Sequence, residues 1–207
     1  MLDREIYHIT HIDNLPGIIK AGCVWCDAQR LRQGFTCTNI GHRHIKERRL
    51  RRPVRVAAGG VLGDYVPFNF CPRSVMLCAI WKKHNDYQGG QESVVHLVST
   101  VGAAISSGRP WAFTDRHAEL VYAACFDNAE QEDRIDWSVM PLRYWAGDSN
   151  TKEKRQAEFL VHDYFPWECF HLIGTHNRQI ATRVEEILSA AAHRPRVSVE
   201  PGWYYGG

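Results

Sequence analysis

The sequence predicts a single α+β domain in which short strands and helices follow one another without internal repeats. Residues 5–10 and 93–99 have the aliphatic and β-branched content of strands. One apolar helix face near the end of the chain is formed by Ile180, Val184, Ile187, Leu188 and Ala191. With 207 residues, 44% of them hydrophobic, the chain is long enough to bury a substantial core.

A basic segment lies in the first quarter of the chain. Between Arg43 and Arg55 there are seven Lys or Arg residues and one acidic residue, Glu47. Such a cluster suits a polyanion, either a nucleic-acid backbone or the pyrophosphate of a dinucleotide. A helix face that is merely solvated would have the same composition.

Residues 42–51 of this basic segment are predicted to form a helix that ends before Pro53. Ile45 and Arg49 are four residues apart and therefore share a helix face. We expect Arg49 to point toward the protein, as Ile45 does. The arginines on the other faces are better placed for solvent or a ligand.

Residues 59–73 are rich in glycine, proline and aromatic residues. This composition argues against a central strand. Aromatic side chains beside arginines commonly stack on single-stranded bases or on an adenine or nicotinamide ring. The alternative is a loop packed under the core.

Glu158 stands at the head of an apolar, strand-like run that continues to Val161. Burying a carboxylate without a partner costs several kcal/mol, so a buried Glu158 needs compensation and is a candidate site residue. His8, Thr10 and the basic segment supply possible partners. A surface glutamate on a strand edge is the simpler alternative.

Several classes of protein are disfavoured by what the sequence lacks. No apolar run approaches the length of a membrane span, and charges at residues 2–5 interrupt any signal peptide. Seven cysteines, an odd number, are expected to be reduced in a cytoplasmic protein. Cys23 and Cys26 form a single pair, and His42 and His44 are isolated, so no metal is predicted. The phosphate-binding and dinucleotide-binding glycine loops are also missing.

Six blocks of sequence carry a more specific signal. They are YHITHIDNL (residues 7–15), HIKERR (44–49), DYVPF with PRS (64–68 and 72–74), YQGGQ (87–91), TDRH (114–117) and KRQAEFLV (154–161). In these residues, and in this order up to the aromatic tail near residues 203–205, the chain closely resembles the DarT family. DarT proteins are toxins of bacterial toxin–antitoxin systems that attach ADP-ribose from NAD to bases of single-stranded DNA.

The resemblance implies an ADP-ribosyltransferase fold, with a split mixed β-sheet core and surrounding helices, formed by residues 1–207 as one domain. NAD would be the ADP-ribose donor. Residues from about 35 to 51 would cover the NAD, and residues from about 106 to 158 would recognise the DNA. A cognate antitoxin that removes ADP-ribose is the implied protein partner.

The resemblance also implies roles for individual residues. Glu158 corresponds to the catalytic glutamate and Arg49 to an essential arginine. The predicted NAD contacts are His8, Ile9, Thr10, Gly17, Trp25 and Arg49. The predicted DNA contacts are Tyr65, Arg73, His117 and Arg155, each of which could equally serve packing or a surface ion pair.

The chemistry of the side chains does not decide which group removes the proton from the DNA base. A guanidinium stays protonated at any ordinary pH, so we favour Arg49 as a cation that stabilises the deprotonated base or the pyrophosphate, with Glu158 or water taking the proton. Two other functions remain possible. One is an NAD glycohydrolase or an ADP-ribosyltransferase that acts on RNA or protein. The other is a non-catalytic nucleic-acid-binding module, which would leave Glu158 unexplained.

Overall fold

A mixed sheet of eight strands forms the centre of the protein in the computed structural model, which describes residues 1–206. The ten strands in that range are β1 (Glu5–His11), β2 (Cys23–Trp25), β3 (Tyr65–Asn69), β4 (Val94–Thr100), β5 (Trp111–His117), β6 (Cys125–Phe126), β7 (Ala157–His162), β8 (Tyr164–Pro166), β9 (Leu172–Thr175) and β10 (Arg196–Val199). Their order in the sheet is β10-β9-β4-β1-β3-β7-β5-β6, and β2 pairs separately with β8. Only β9 and β10 run parallel. The predicted α+β fold with a mixed sheet is confirmed.

The sheet is split between β1 and β3. On one side β1 pairs with β4 along its whole length, from Glu5 to His11. On the other side β1 meets β3 at a single pair, Tyr7 with Asn69. β3 in turn pairs with β7 over five residues. The two halves of the sheet therefore separate beyond Tyr7 and leave a cleft between them.

Residues 65–69 form the central strand β3, so the prediction that this stretch is too rich in proline for a central strand was wrong. The reason lies in the split. The carbonyl of Pro67 points toward β1, where it is bonded by the His8 ring nitrogen Nδ1 at 2.9 Å. Since the N–H and C=O of one strand residue face the same neighbour, the missing N–H of Pro67 falls on the side where no ladder exists. The aromatic side chains of Tyr65 and Phe68 are buried in the core.

Seven α-helices surround the sheet in the described chain: α1 (Leu15–Ala21), α2 (Asp27–Arg32), α3 (Arg43–Arg49), α4 (Val75–Trp81), α5 (Val101–Ser106), α6 (Ser149–Lys154) and α7 (Arg178–Leu188). α1 ends at Gly22, whose φ of 69° is the left-handed conformation that glycine adopts without strain. α3 is shorter than the predicted 42–51 helix, because residues 50 and 51 form a turn before Pro53. None of these helices is long and apolar enough to cross a bilayer.

The region from 106 to 158 begins inside the sheet. Its first strand, β5, pairs with β7 through Phe113 and Phe159. The register shifts between Phe113 and His117, which is a bulge next to the start of β7. Beyond β6 the chain consists of short helical turns and α6 until β7 begins. This irregular portion is placed directly beside Glu158 by the sheet.

Candidate active site

Glu158 is buried, and the structure supplies its partner. The residue is 7% exposed in strand β7, in register with Asn69 of β3. Its N–H donates to the Thr114 hydroxyl at 3.0 Å. Thr114 itself donates to the carbonyl of Arg116 at 2.7 Å, within the bulge of β5. The carboxylate is therefore held at the split of the sheet by a strand and a bulge, and the surface alternative is wrong.

Arg49 is the counter-ion of Glu158. A single guanidinium nitrogen, Nη1, donates to both carboxylate oxygens, at 2.8 Å and 3.1 Å. Both side chains are about nine-tenths buried, so the pair resists screening by solvent and neither charge is stable without the other. The prediction that Arg49 points toward the protein is confirmed.

The second terminal nitrogen of Arg49, Nη2, is buried and has no hydrogen-bond partner among the described residues. A buried donor left unpaired costs about 1–3 kcal/mol. Such a cost is typical of a group that a ligand completes. The site therefore offers an anionic or polar ligand one strong donor directly beside the carboxylate of Glu158.

His117 lies next to this ion pair. It is in register with Ala157, the neighbour of Glu158. Burial lowers the pKa of His117, and Glu158 only partly offsets that effect. The imidazole is therefore neutral at neutral pH and can donate or accept a hydrogen bond. Among the predicted DNA contacts, it is the one that lies beside the Arg49–Glu158 pair.

His8 and Thr10 are on β1, across the split. His8 bonds the Pro67 carbonyl through Nδ1, so its other ring nitrogen, Nε2, is left for a ligand. Burial lowers the pKa of His8 despite this bond. The carboxylate of Asp27 and the ammonium of Lys46 act electrostatically on His8 and are themselves 2.8 Å apart. Neither His8 nor Thr10 pairs with Glu158, whose partner is Arg49.

Asn14 ties β1 to the predicted NAD-covering segment. Its side-chain amide donates to the Thr10 hydroxyl and the Thr38 carbonyl, both at 3.0 Å, and accepts the Thr38 N–H at 2.8 Å. Asn14 occupies the position before α1 but makes no helix-capping bond. In the sequence Asn14 stands out only as part of the YHITHIDNL block (residues 7–15). Its role between two segments depends on a contact 24 residues away, which no local pattern reveals.

The other predicted NAD contacts have different surroundings. Ile9 is buried in an apolar cluster with Leu77 and Val94, so only its main chain is free to contact a ligand. A Cβ added to Gly17 would meet no atom within 4 Å, so the face of α1 is open there. Trp25 packs against Tyr164, and its indole N–H is buried without a partner among the described residues. These positions remain predictions as NAD contacts.

Three of the predicted DNA contacts are engaged inside the protein. Tyr65 is 1% exposed, and its hydroxyl donates to the Gly59 carbonyl at 2.9 Å. Arg73 donates to the Tyr204 carbonyl and covers the ring of Tyr205. Arg155 is 2% exposed and bonds main-chain carbonyls. For these residues the surroundings match the packing alternative, whereas only His117 lies at the cleft.

Arg155→Ala should destabilise the fold. The guanidinium donates to the carbonyls of Val139, Met140 and Arg73, so truncation leaves buried acceptors unpaired and opens a cavity, at a cost of about 3 kcal/mol or more. Thermal and urea unfolding measure the loss. Arg51→Ala, at an exposed arginine, is the matched control and should be neutral within about 0.5 kcal/mol. An unchanged stability with weaker DNA binding would instead return Arg155 to the DNA interface.

The basic segment is mostly paired with acids and carbonyls. Arg48 donates to both oxygens of Glu119, at 2.8 Å and 3.1 Å, and Arg52 donates to the carbonyl of Leu120. These contacts attach α3 to the turn after β5. Arg51 and Arg55 remain exposed for a polyanion. The basic composition thus serves both to hold α3 in place and to leave a smaller cationic surface.

The seven cysteines are all unpaired. Cys23 and Cys26 belong to no cluster of metal-binding side chains in the described chain. Burial raises the pKa of the Cys23 thiol to about 11. The isolated Cys-x-x-Cys therefore consists of protonated thiols that pack in the core.

A split mixed sheet buries a Glu–Arg pair at its cleft, with a histidine across the split, which is the arrangement expected of the ADP-ribosyltransferase fold that the sequence resemblance implied. Comparison with known proteins agrees. The profile of the family described as "ssDNA thymidine ADP-ribosyltransferase, DarT" matches residues 7–205. The chain belongs to the DarT family.

Relatives and solved structures support this assignment over the whole chain. A DNA ADP-ribosyl transferase of Thermus sp. (strain 2.9) is 45% identical over 202 residues, covering 97% of this chain and 95% of the relative. One from Escherichia coli O127:H6 is 31% identical over 208 residues, covering 97% and 93%. The structure of the Thermus sp. 2.9 DarT in complex with ADP-ribosylated ssDNA superposes with a TM-score of 0.93 at 43% identity, covering 98% of this chain and 97% of that one. The same protein in complex with NAD+ gives 0.88 at 41% identity, covering 98% of each chain.

Proposed function

We propose that the protein transfers ADP-ribose from NAD to a thymidine base in single-stranded DNA and releases nicotinamide, as a growth-arresting toxin. The buried Arg49–Glu158 pair at the split of the sheet carries this proposal, because it places a carboxylate and an unpaired guanidinium nitrogen at one point of the cleft. The NAD and DNA complexes of similar proteins favour the same substrates.

Glu158 would act on the ribose. Cleavage of the nicotinamide bond builds positive charge on the sugar, as in glycoside hydrolysis, where carboxylates stabilise an oxocarbenium-like state. A carboxylate that accepts a hydrogen bond from the ribose 2′-hydroxyl binds more strongly as that charge develops. Thr114 fixes the main chain of Glu158 for this task. Arg49 holds the carboxylate in place through bonds to both of its oxygens.

Arg49 would contact the DNA base or the pyrophosphate with Nη2. The guanidinium is a poor base, so its contribution is charge. It stabilises a thymine that has lost its ring proton or the negative pyrophosphate of NAD. The proton itself passes to Glu158 or to water, and the neutral His117 is close enough to the pair to orient the base.

The nicotinamide half of NAD would be held by His8 and Thr10, with Ile9, Gly17 and Trp25 along the same surface. Holding the reacting groups in place limits wasted motion and excludes water. Residues 35–51 would close over the dinucleotide. Tyr65, Arg73 and Arg155 would support the DNA-binding region from inside, a structural role in place of the direct contact that the sequence predicted.

One incubation separates the candidate functions. Purified protein is mixed with NAD and a single-stranded oligonucleotide, and nicotinamide and DNA mass are followed together. Nicotinamide release with a matching mass gain on thymidine-containing DNA is the expected result. Nicotinamide release without DNA modification would indicate a glycohydrolase or a transferase that acts on RNA or protein. Repeating the incubation with RNA and with protein acceptors then distinguishes these alternatives. If neither nicotinamide release nor a DNA mass gain occurs, the result would favour the non-catalytic nucleic-acid-binding module.

Asn14→Ala should weaken NAD binding while sparing the fold. The change removes the bonds that tie Thr38 to Thr10, so the covering segment must be ordered by NAD itself. A loss of about 1.4 kcal/mol corresponds to a tenfold higher KM for NAD. Asn39→Ala is the matched control, since Asn39 bonds only Gly41 two residues away. Equal KM values for the two variants would contradict the role of Asn14.

The toxin would require a partner that reverses its modification. A Thermosipho africanus relative, 26% identical over 188 residues, is named a DNA ADP-ribosyl transferase–DNA ADP-ribosyl glycohydrolase fusion protein, and this chain covers 46% of it. We propose that a cognate antitoxin with ADP-ribosyl glycohydrolase activity is the partner of this protein. Both proteins would act in the bacterial cytoplasm, where NAD and single-stranded DNA are available.

A further inference from the structure

Three metal-binding side chains meet at the start of α3, away from the Arg49–Glu158 pair. His42 and His44 flank Arg43, and Asp86 comes from the connection between α4 and β4. One ligand atom from each of the three lies within 4.8 Å of the others. The two imidazole rings have their centroids 5.1 Å apart. In sequence the histidines are isolated, and only the fold brings Asp86 to them.

The two segments that supply these side chains are tied together on both sides of the cluster. Asp86 accepts the main-chain N–H of Arg43 at 2.7 Å. The buried amide of Asn85 donates to the Ile40 carbonyl at 3.0 Å. In metal sites, a hydrogen bond to a ligand carboxylate, such as the one from the Arg43 N–H to Asp86, orients that carboxylate toward the metal.

Two imidazoles and one carboxylate form a donor set that binds Zn²⁺ and the neighbouring transition metals, with water completing the coordination. Bond lengths of about 2.0–2.2 Å require the ligand atoms to approach one another somewhat more closely. The side chains of His44 and Asp86 are both exposed, and rotation of the His44 imidazole can close the gap. Their exposure also lets a metal enter from solvent.

We infer that His42, His44 and Asp86 form a binding site for a divalent transition metal that joins the 35–51 segment to the connection before β4. The inference rests on these side chains alone and is independent of the proposed transfer reaction. A metal bound there would fix the first turn of α3, the helix whose last residue is Arg49. The site is therefore structural and lies about two helical turns from the catalytic pair.

Titration with Co²⁺ tests the site directly. Untagged protein, treated with reducing agent, is titrated and the cobalt absorption recorded, with no NAD or DNA present. We expect one Co²⁺ per chain with a spectrum of nitrogen and oxygen ligands, and displacement by Zn²⁺. His42→Ala/His44→Ala should weaken binding by at least about tenfold. His84→Ala, at an exposed histidine in the same connection, is the matched control and should bind as the wild type does.

Three results would overturn the site. They are no cobalt binding at micromolar concentrations, equal affinity in the double variant, or a thiolate charge-transfer band, which would assign the metal to cysteines such as the exposed Cys37. Hydrogen exchange gives a second readout. Zn²⁺ should slow exchange across residues 40–48 in the wild type and the His84→Ala control, but not in the double variant, and an equal response in all three would also contradict the site.

Discussion

Glu158→Gln is expected to reduce ADP-ribose transfer by about 10³-fold, the loss seen when one group that stabilises transition-state charge is removed. The amide has nearly the same shape as the carboxylate and can still accept bonds from Arg49. It lacks the negative charge that the developing oxocarbenium requires. Nicotinamide release and DNA mass gain, measured at saturating NAD, should fall together.

The same substitution has a structural consequence that must be measured beside activity. Arg49 keeps its charge but loses its counter-ion in a site that is nine-tenths buried. Removing one member of such a pair costs up to about 3–5 kcal/mol, and a retained amide bond lessens that loss. Thermal unfolding reports it. Glu47→Gln, at an exposed glutamate of α3, should leave both activity and stability unchanged.

Activity within tenfold of wild type in folded Glu158→Gln would refute the catalytic role of the carboxylate. A loss of activity that tracks unfolding would leave only a structural role. Measuring rates well below the melting temperature of the variant separates these two outcomes.

Arg49→Lys should retain the ion pair and lose most of the transfer activity, by about 10²-fold or more. In the structure a single nitrogen of Arg49 bonds both oxygens of Glu158, and an ammonium can reproduce that contact. It cannot reproduce Nη2, the donor left without a protein partner. The lysine variant therefore removes the Nη2 donor, which is available to a ligand, while keeping a donor to Glu158 in place of Nη1.

Arg49→Ala completes the experiment. Normal NAD affinity without transfer would favour a role at the DNA base, whereas a matching loss of NAD affinity would favour the pyrophosphate. Arg51→Lys, at an exposed arginine two residues away, controls for the general effect of the substitution. Near wild-type rates in Arg49→Lys would show that guanidinium geometry does not matter.

Sequence reasoning could single out both Glu158 and Arg49 because local patterns constrain them. An apolar run predicted that Glu158 begins a buried strand, and the four-residue spacing from Ile45 predicted the inward direction of Arg49. Neither pattern indicates that the two side chains meet. That contact follows from the order of the strands in the sheet, which the periodicity of the sequence does not encode. The family resemblance assigned a role to each residue but did not indicate that they touch.

The same limits explain why the sequence could not predict the surroundings of Pro67 and Arg155. Proline is disfavoured in a central strand because such a strand forms hydrogen bonds with a neighbour on each side. Pro67 is tolerated in β3 because the sheet is split between β3 and β1. Arg155 was predicted either to contact DNA or to serve packing, and the sequence could not show that its acceptors are carbonyls of an irregular region 15 and 16 residues earlier. Irregular backbone exposes carbonyl groups that side chains must satisfy, and their positions have no periodic signature.

The separation of 109 residues between Arg49 and Glu158 also governs when the protein can become active. At about 5–20 residues per second, a ribosome needs roughly 5 to 20 s to pass from one to the other. Throughout that interval the arginine helix exists without its carboxylate, and β3 lacks the strand that completes it. With Glu158 as the catalytic carboxylate that we propose, a nascent chain is unable to consume NAD until β7 has been synthesised.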